Sequence, residues 1–230
     1  MIKFLAFFSY LIPIILFLVF ARRRSGLGLW VIFFYILISY SFDIFNAIAP
    51  FGKDHEEEAF AVFTIFEFSA FATFFYLAIS SVSVRKFILL SSILILVFLT
   101  ISFYKSDKSS FDSISASTES ITMIVFSILF FFEELKKPMP YILYSYPNFW
   151  IVFGILVFMA ATLFLFITAN KLSPEEHSKY WIILNVANII SNLIFGIGFI
   201  RARFLPSKSA TGRSDLKYSS IPENHRKLEP

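Results

Sequence analysis

The sequence contains no cysteine, which removes disulfides, thiolate nucleophiles and sulfur-ligated metals together and leaves the compartment open. Charge is scarce as well. Only 16% of the 230 residues are Asp, Glu, Lys or Arg, against roughly 25% in a water-soluble domain. The histidines, His55, His177 and His225, all fall in polar stretches, so a buried His-rich zinc site has no ligands. No lysine lies in the last apolar run, so an imine-linked chromophore there has no amine to form on. A Gly-rich phosphate loop and a G-x-S-x-G elbow are both missing. These absences leave enzymatic activity without a motif, although two carboxyls can do acid–base work. No cofactor, metal or catalytic residue is expected.

What is present is hydrocarbon. Hydrophobic residues make up 57% of the chain and aromatics 20%, with Phe alone at 33 residues and a mean hydropathy of +0.75. Such a chain needs lipid as its solvent. A helix crossing a hydrocarbon core of about 30 Å takes roughly 20 apolar residues. Seven stretches qualify: 4–21, 27–49, 59–82, 87–104, 115–132, 149–169 and 180–200. None alternates with period two as a membrane barrel strand does. The expectation is an all-α, polytopic bundle of seven transmembrane helices over 1–204, followed by a disordered basic cytoplasmic tail over 205–230.

Orientation follows from Lys and Arg, which favour the cytoplasmic side. Loops after odd-numbered spans carry Arg22, Arg23, Arg24, Arg85, Lys86, Lys136 and Lys137, and the last span is followed by Arg201 and Arg203. With the tail, 14 of the 20 basic residues fall on that side and 6 on the other. The net charge of +4 therefore speaks to membrane orientation rather than to nucleic acid. The chain is read as N-out and C-in, in the cell membrane, with the bacterial inner membrane as its expected place. A cleaved signal peptide is the rival for the first run. Val19-Phe20-Ala21-Arg22 is a poor cleavage site, and arginines directly after a signal oppose export. No internal repeat supports a duplicated transporter.

Three acids stand inside apolar runs: Asp43, Glu67 and Glu119. An ionisable group in hydrocarbon costs at least ~2.5–3.5 kcal/mol on insertion scales and is a functional hypothesis by default. At about 1.5 Å per residue they lie about 9–10, 12 and 6 Å below the outer ends of their helices. Asn185, Asn188 and Asn192 follow i, i+3, i+7 spacing on one face of the seventh span, with Ser191 on the flank. Ser39, Asp43 and Asn46 form a stripe on the second span, Ser115, Glu119 and Thr122 on the fifth, and Thr64 lies one turn from Glu67. Polar stripes must face protein or water. The simplest arrangement points them at one another, as a pocket open to the outside. No Lys or Arg lies within a span to neutralise the acids. Two readings stand. The carboxyls carry protons and bond the asparagines as glue between helices, or they await a cation, an amine or a proton.

Other features read as architecture. Pro13 should kink the first helix; Gly196 and Gly198 should allow close helix packing. Trp30, Trp150, Tyr180 and Trp181 sit where an aromatic belt is expected, with an interfacial aromatic segment over 141–146. His55 among Asp54, Glu56, Glu57 and Glu58 reads as a solvated acidic loop, with weak divalent-ion binding as the alternative.

Two stretches carry a resemblance: Val62-Phe63-Thr64-Ile65-Phe66-Glu67-Phe68 in the third span, and Tyr146-Pro147-Asn148-Phe149-Trp150, then Gly154 and an apolar run to Phe166, in the sixth. With the seven short-looped spans, the chain resembles uncharacterised small bacterial seven-helix membrane proteins, and is similar to the seven-helix sensory regions of some histidine kinases. The resemblance implies a sensor-like fold. Because the sequence carries no kinase domain, it also implies a separate cytoplasmic signalling partner. The first reading is thus a receptor-like, non-enzymatic protein binding a small ligand or cation at Asp43, Glu67, Glu119, Asn185, Asn188 and Asn192. A small transporter or proton-coupled carrier stands second, ahead of a lipid-acting enzyme or a structural subunit.

Overall fold

A computed structural model describes residues 2–48, 53–105, 113–137, 143–169 and 174–204. The tail expected at 205–230 and the side chains of the acidic stretch 53–57 lie outside the described residues. Among the described residues, seven helices are long and apolar enough to cross a membrane: Ile2–Ala21, Leu27–Ile48, Glu58–Ala78, Val82–Tyr104, Ile114–Lys136, Pro147–Ile167 and Ile182–Ala202. They match the seven apolar runs one for one, and no strand occurs among the described residues. The chain is an integral membrane protein by this measure.

The helices outrun their apolar windows. The third is helical over Lys53–Ala78 and the seventh over Pro174–Ala202. The stretch expected to be an acidic loop at 53–58 is therefore the first turns of the third helix. Hydropathy marks only the segment in hydrocarbon, whereas backbone hydrogen bonding carries a helix on into the polar interface.

The first span is broken, and its sequence says where. Pro13 has no N–H to give the Ser9 carbonyl, and its ring crowds that same carbonyl. The helix duly divides into Ile2–Ser9 and Leu11–Leu16 around Tyr10. It closes in a π-helical turn, Phe17–Ala21, in which the Arg22 N–H bonds the Phe17 carbonyl at 2.9 Å.

The third helix carries the densest run of buried phenylalanines. Its Phe68, Phe71, Phe74 and Phe75 are fully buried, and it packs against the second, fourth and fifth helices. The fifth, sixth and seventh follow in order, and the first closes the ring by lying on the seventh. Phe17 locks that closure, stacking on Phe33 with ring centroids 4.2 Å apart and meeting Phe199 edge-on at 5.0 Å. The fourth helix is peripheral, turning Leu90, Leu94 and Val97 outward as lipid-facing surface.

Glycines set the closest helix contacts. A Cβ on Gly154 would stand 2.6 Å from the Phe195 ring, and one on Gly198 would stand 3.0 Å from Ile151. The sixth and seventh helices therefore interlock in both directions. Gly196 does the same for the first helix, where a Cβ would meet Leu16 at 2.9 Å. In lipid such close packing replaces the hydrophobic drive between helices. Gly154→Ala is expected to lower stability by about 1–3 kcal/mol, because the buried Phe195 ring must shift. Thermal unfolding of the purified protein in detergent measures this, and an unchanged midpoint would contradict it.

Alternating spans bring Arg22–Arg24, Arg85, Lys86, Lys136, Lys137, Arg201 and Arg203 to one end of the bundle. There an Arg24 N–H bonds the Arg203 carbonyl, and the Arg85 guanidinium lies 4.5 Å over the Tyr76 ring. Glu133 of the fifth helix accepts the N–H groups of Ser80 and Ser81 at 2.6 and 3.0 Å. A carboxylate from a neighbour thus caps the start of the fourth helix, where unpaired donors and the helix dipole favour negative charge. At the same end, the Trp150 indole N–H bonds the Tyr144 carbonyl at 2.8 Å and ties down the turn before the sixth helix.

Candidate functional site

Most hydroxyls in the spans do not cross between helices. Ser39 donates to the Tyr35 carbonyl, Ser120 to Ala116, Thr122 to Thr118 and Ser127 to Met123, each at 2.8 Å and each one turn back. Contacts between helices fall instead to the acids, the amides and two tyrosines. That is a short list, and it forms two adjoining groups.

The first group joins the first, second and seventh helices. Asn192 donates from Nδ2 to the Ser9 hydroxyl and to Asn188 Oδ1, both at 2.8 Å. Asn188 donates to the Tyr10 hydroxyl at 2.7 Å. The Tyr10 hydroxyl, held by Asn188, also lies near the Asp43 carboxyl of the second helix. The break made by Pro13 has a use here. It presents Ser9 and Tyr10, which flank the interruption, to the asparagine face of the seventh helix.

The second group joins the second, third and fifth helices. The Tyr35 hydroxyl donates to Glu67 Oε1 at 2.5 Å, with both side chains buried. Glu119 of the fifth helix is 4% exposed and Glu67 9%, and they stand seven and eight residues outward of the Phe126–Phe75 ring contact, which sets them level on facing helices. Glu119 Oε1 has no hydrogen-bond partner among the described residues. The two groups adjoin through the second helix. Tyr35, Ser39 and Asp43 stand at successive turns of one face, and the Tyr10 ring packs 5.9 Å from that of Tyr40 on the same helix.

Five of the six residues expected to form a site, Asp43, Glu67, Glu119, Asn188 and Asn192, therefore belong to this layer. Asn185 lies half-buried one turn farther along the asparagine face. The sequence reading omitted Tyr10, Tyr35 and Ser9. Tyr35 had a legible signal, since it precedes Asp43 by two helical turns on the same stripe. Tyr10 had one only in hindsight, as the residue beside a proline-made break. Ser92 of the fourth helix adds a buried hydroxyl, 7% exposed and without a partner among the described residues. Counting helical rise from the arginine-bearing end, Ser92 and Glu67 both stand about 15–17 Å along their helices.

Toward that end the polar layer stops against aromatic rings. Phe71, Phe75 and Phe126 lie one or two turns beyond Glu67 and Glu119, and all are buried. The Phe71 ring packs on Tyr35 at 4.5 Å and Phe75 meets Phe126 at 5.8 Å. A separate cleft of about 290 Å³ opens beyond this seal, between the starts of the second and sixth helices and the end of the third. Gly26, Gly28, Phe74, Leu77 and Tyr146 line it, and none of the six expected site residues does. Among the described residues, no cluster of three or more His, Cys, Asp or Glu side chains could hold a metal ion.

Compared with family models, with curated proteins and with solved structures, the chain finds no match in any of the three. Function must be argued from the layer itself.

Proposed function

We propose that this protein is receptor-like, binding a small ligand or cation in the polar layer and passing the change to a cytoplasmic signalling partner through its basic loops. The observation that carries the reading is Glu119. A carboxyl with an unpartnered oxygen stands level with a second buried acid, in spans whose Lys and Arg residues stand only near their ends. Helix glue would give each buried polar group a partner, as Tyr35 does for Glu67. Glu119 is left over. The ligand enters from the side opposite the arginines, which the basic-residue bias makes the outside, with the N-terminus out and the C-terminus in.

A ligand acts on such a protein only by preferring one helix arrangement over another. The first helix offers two. It is already interrupted at Tyr10, and it holds the seventh through the Asn188–Tyr10 and Asn192–Ser9 bonds. Drawing Asp43 toward a ligand would loosen Tyr10 and let the first helix tilt.

The transporter alternative needs a polar route onward to the arginine-bearing end, and the packed rings below Glu67 and Glu119 weigh against one. Reconstitution into proteoliposomes separates the two readings. With NaCl, KCl or methylammonium chloride on one side, the receptor reading expects no flux above protein-free vesicles. Sustained flux would contradict it.

A further inference from the structure

Of the buried acids facing one another across the third and fifth helices, Glu67 receives the Tyr35 hydroxyl at Oε1, whereas Glu119 Oε1 has no partner among the described residues. The Glu119 oxygen without a partner and the second oxygen of Glu67 therefore belong to two carboxyls at one level of the contact between the third and fifth helices, whose register the Phe75–Phe126 ring contact fixes.

We propose that Glu67 and Glu119 together hold a monovalent inorganic cation, with Tyr35 fixing the Glu67 carboxyl so that its other oxygen faces the ion. This inference rests on the ligand-site reading above and names the ligand class. Three observations favour a small single-charged ion. The carboxyls are 9% and 4% exposed, with Phe68, Phe71, Met123 and Phe126 fully or almost fully buried along the same helices. A dehydrated ion fits between such side chains, whereas an organic amine must also place its carbon skeleton. Calcium takes six to eight oxygen ligands and magnesium a near-ideal octahedron, and no third acid completes a metal cluster among the described residues. Finally, one monovalent cation and one proton neutralise the two carboxyls without a basic side chain. The Ser92 hydroxyl of the adjoining fourth helix, buried and without a partner among the described residues, stands at about the same height as Glu67.

The test is thermal unfolding of the full chain in detergent, in NaCl, KCl, LiCl or methylammonium chloride, against choline chloride at equal ionic strength. A CaCl₂ arm is added. At a hundredfold excess over Kd, the preferred alkali cation should raise the midpoint by about 5 °C or more. Glu119→Gln should remove that rise while unfolding no earlier than the parent in choline, and Glu67→Gln should remove it independently. Glu134→Gln, at the arginine-bearing end, should keep it.

An alkali-cation rise that persists in both Glu119→Gln and Glu67→Gln would overturn the inference. So would no response to any alkali cation, or a larger response to calcium. A larger rise with methylammonium would overturn the inorganic-cation assignment while leaving the receptor reading in place. The receptor reading fails separately, on flux or on access to the layer.

Discussion

Glu67→Gln should remove most of the response to the bound ligand or cation at concentrations that saturate the parent, while leaving membrane insertion and folding intact. The amide keeps the volume of the acid, and its carbonyl still accepts from the Tyr35 hydroxyl, so the 2.5 Å contact has a neutral substitute. Removing a buried charge that has no basic partner costs the fold nothing and can stabilise it. The site, however, loses a charge-assisted contact of about 1.5–3 kcal/mol, which weakens binding roughly 10- to 100-fold. Intrinsic fluorescence or thermal-shift titration of the reconstituted protein reads the loss. Parent-like affinity in a folded variant would remove Glu67 from the site.

The largest effect on stability should come from Phe75→Ala. Phe75 is fully buried on the third helix, and its ring meets Phe126 of the fifth at 5.8 Å. Emptying such a site costs about 3–5 kcal/mol, because the surroundings collapse only partly into the void. The comparison that gives this meaning is Leu90→Ala on the fourth helix. Leu90 is 62% exposed and faces lipid, so its truncation should stay within about 0.5 kcal/mol. Unfolding midpoints of the two variants in the same detergent decide the matter. Similar losses would mean that the aromatic layer is not the packed seal described here.

The bundle was legible in the sequence because hydrocarbon demands one thing of a helix, a long apolar run, and seven such runs stand between polar breaks. Helix ends were less legible. The turns at 53–58 are polar, and hydropathy cannot distinguish a solvated helical turn from a loop. The acids and asparagines could be placed on faces by counting turns, and Asp43, Glu67, Glu119, Asn188 and Asn192 do face other helices. Their partners could not be placed that way. Tyr10 and Tyr35 lie among 33 phenylalanines and other apolar neighbours, and a phenol in such a run reads as one more aromatic until the helix across from it is known. The serines and threonines misled in the opposite sense. Ser39 and Thr122 lie on the expected stripes, yet both spend their hydrogen on a carbonyl of their own helix. Periodicity shows which face a side chain takes, and not whether a nearer acceptor will claim it.

The claim on which everything functional depends is that the polar layer is reached from the side opposite the arginines. The lack of cysteine provides a clean background for testing it. Asp43→Cys and Asn188→Cys should react with a membrane-impermeant thiol reagent applied to the outside of intact cells. Ser127→Cys, fully buried nearer the arginine-bearing end, should not. If the first two cysteines stay unmodified, or react only when the reagent is applied from the arginine-bearing side, the account of an outward-facing site is wrong.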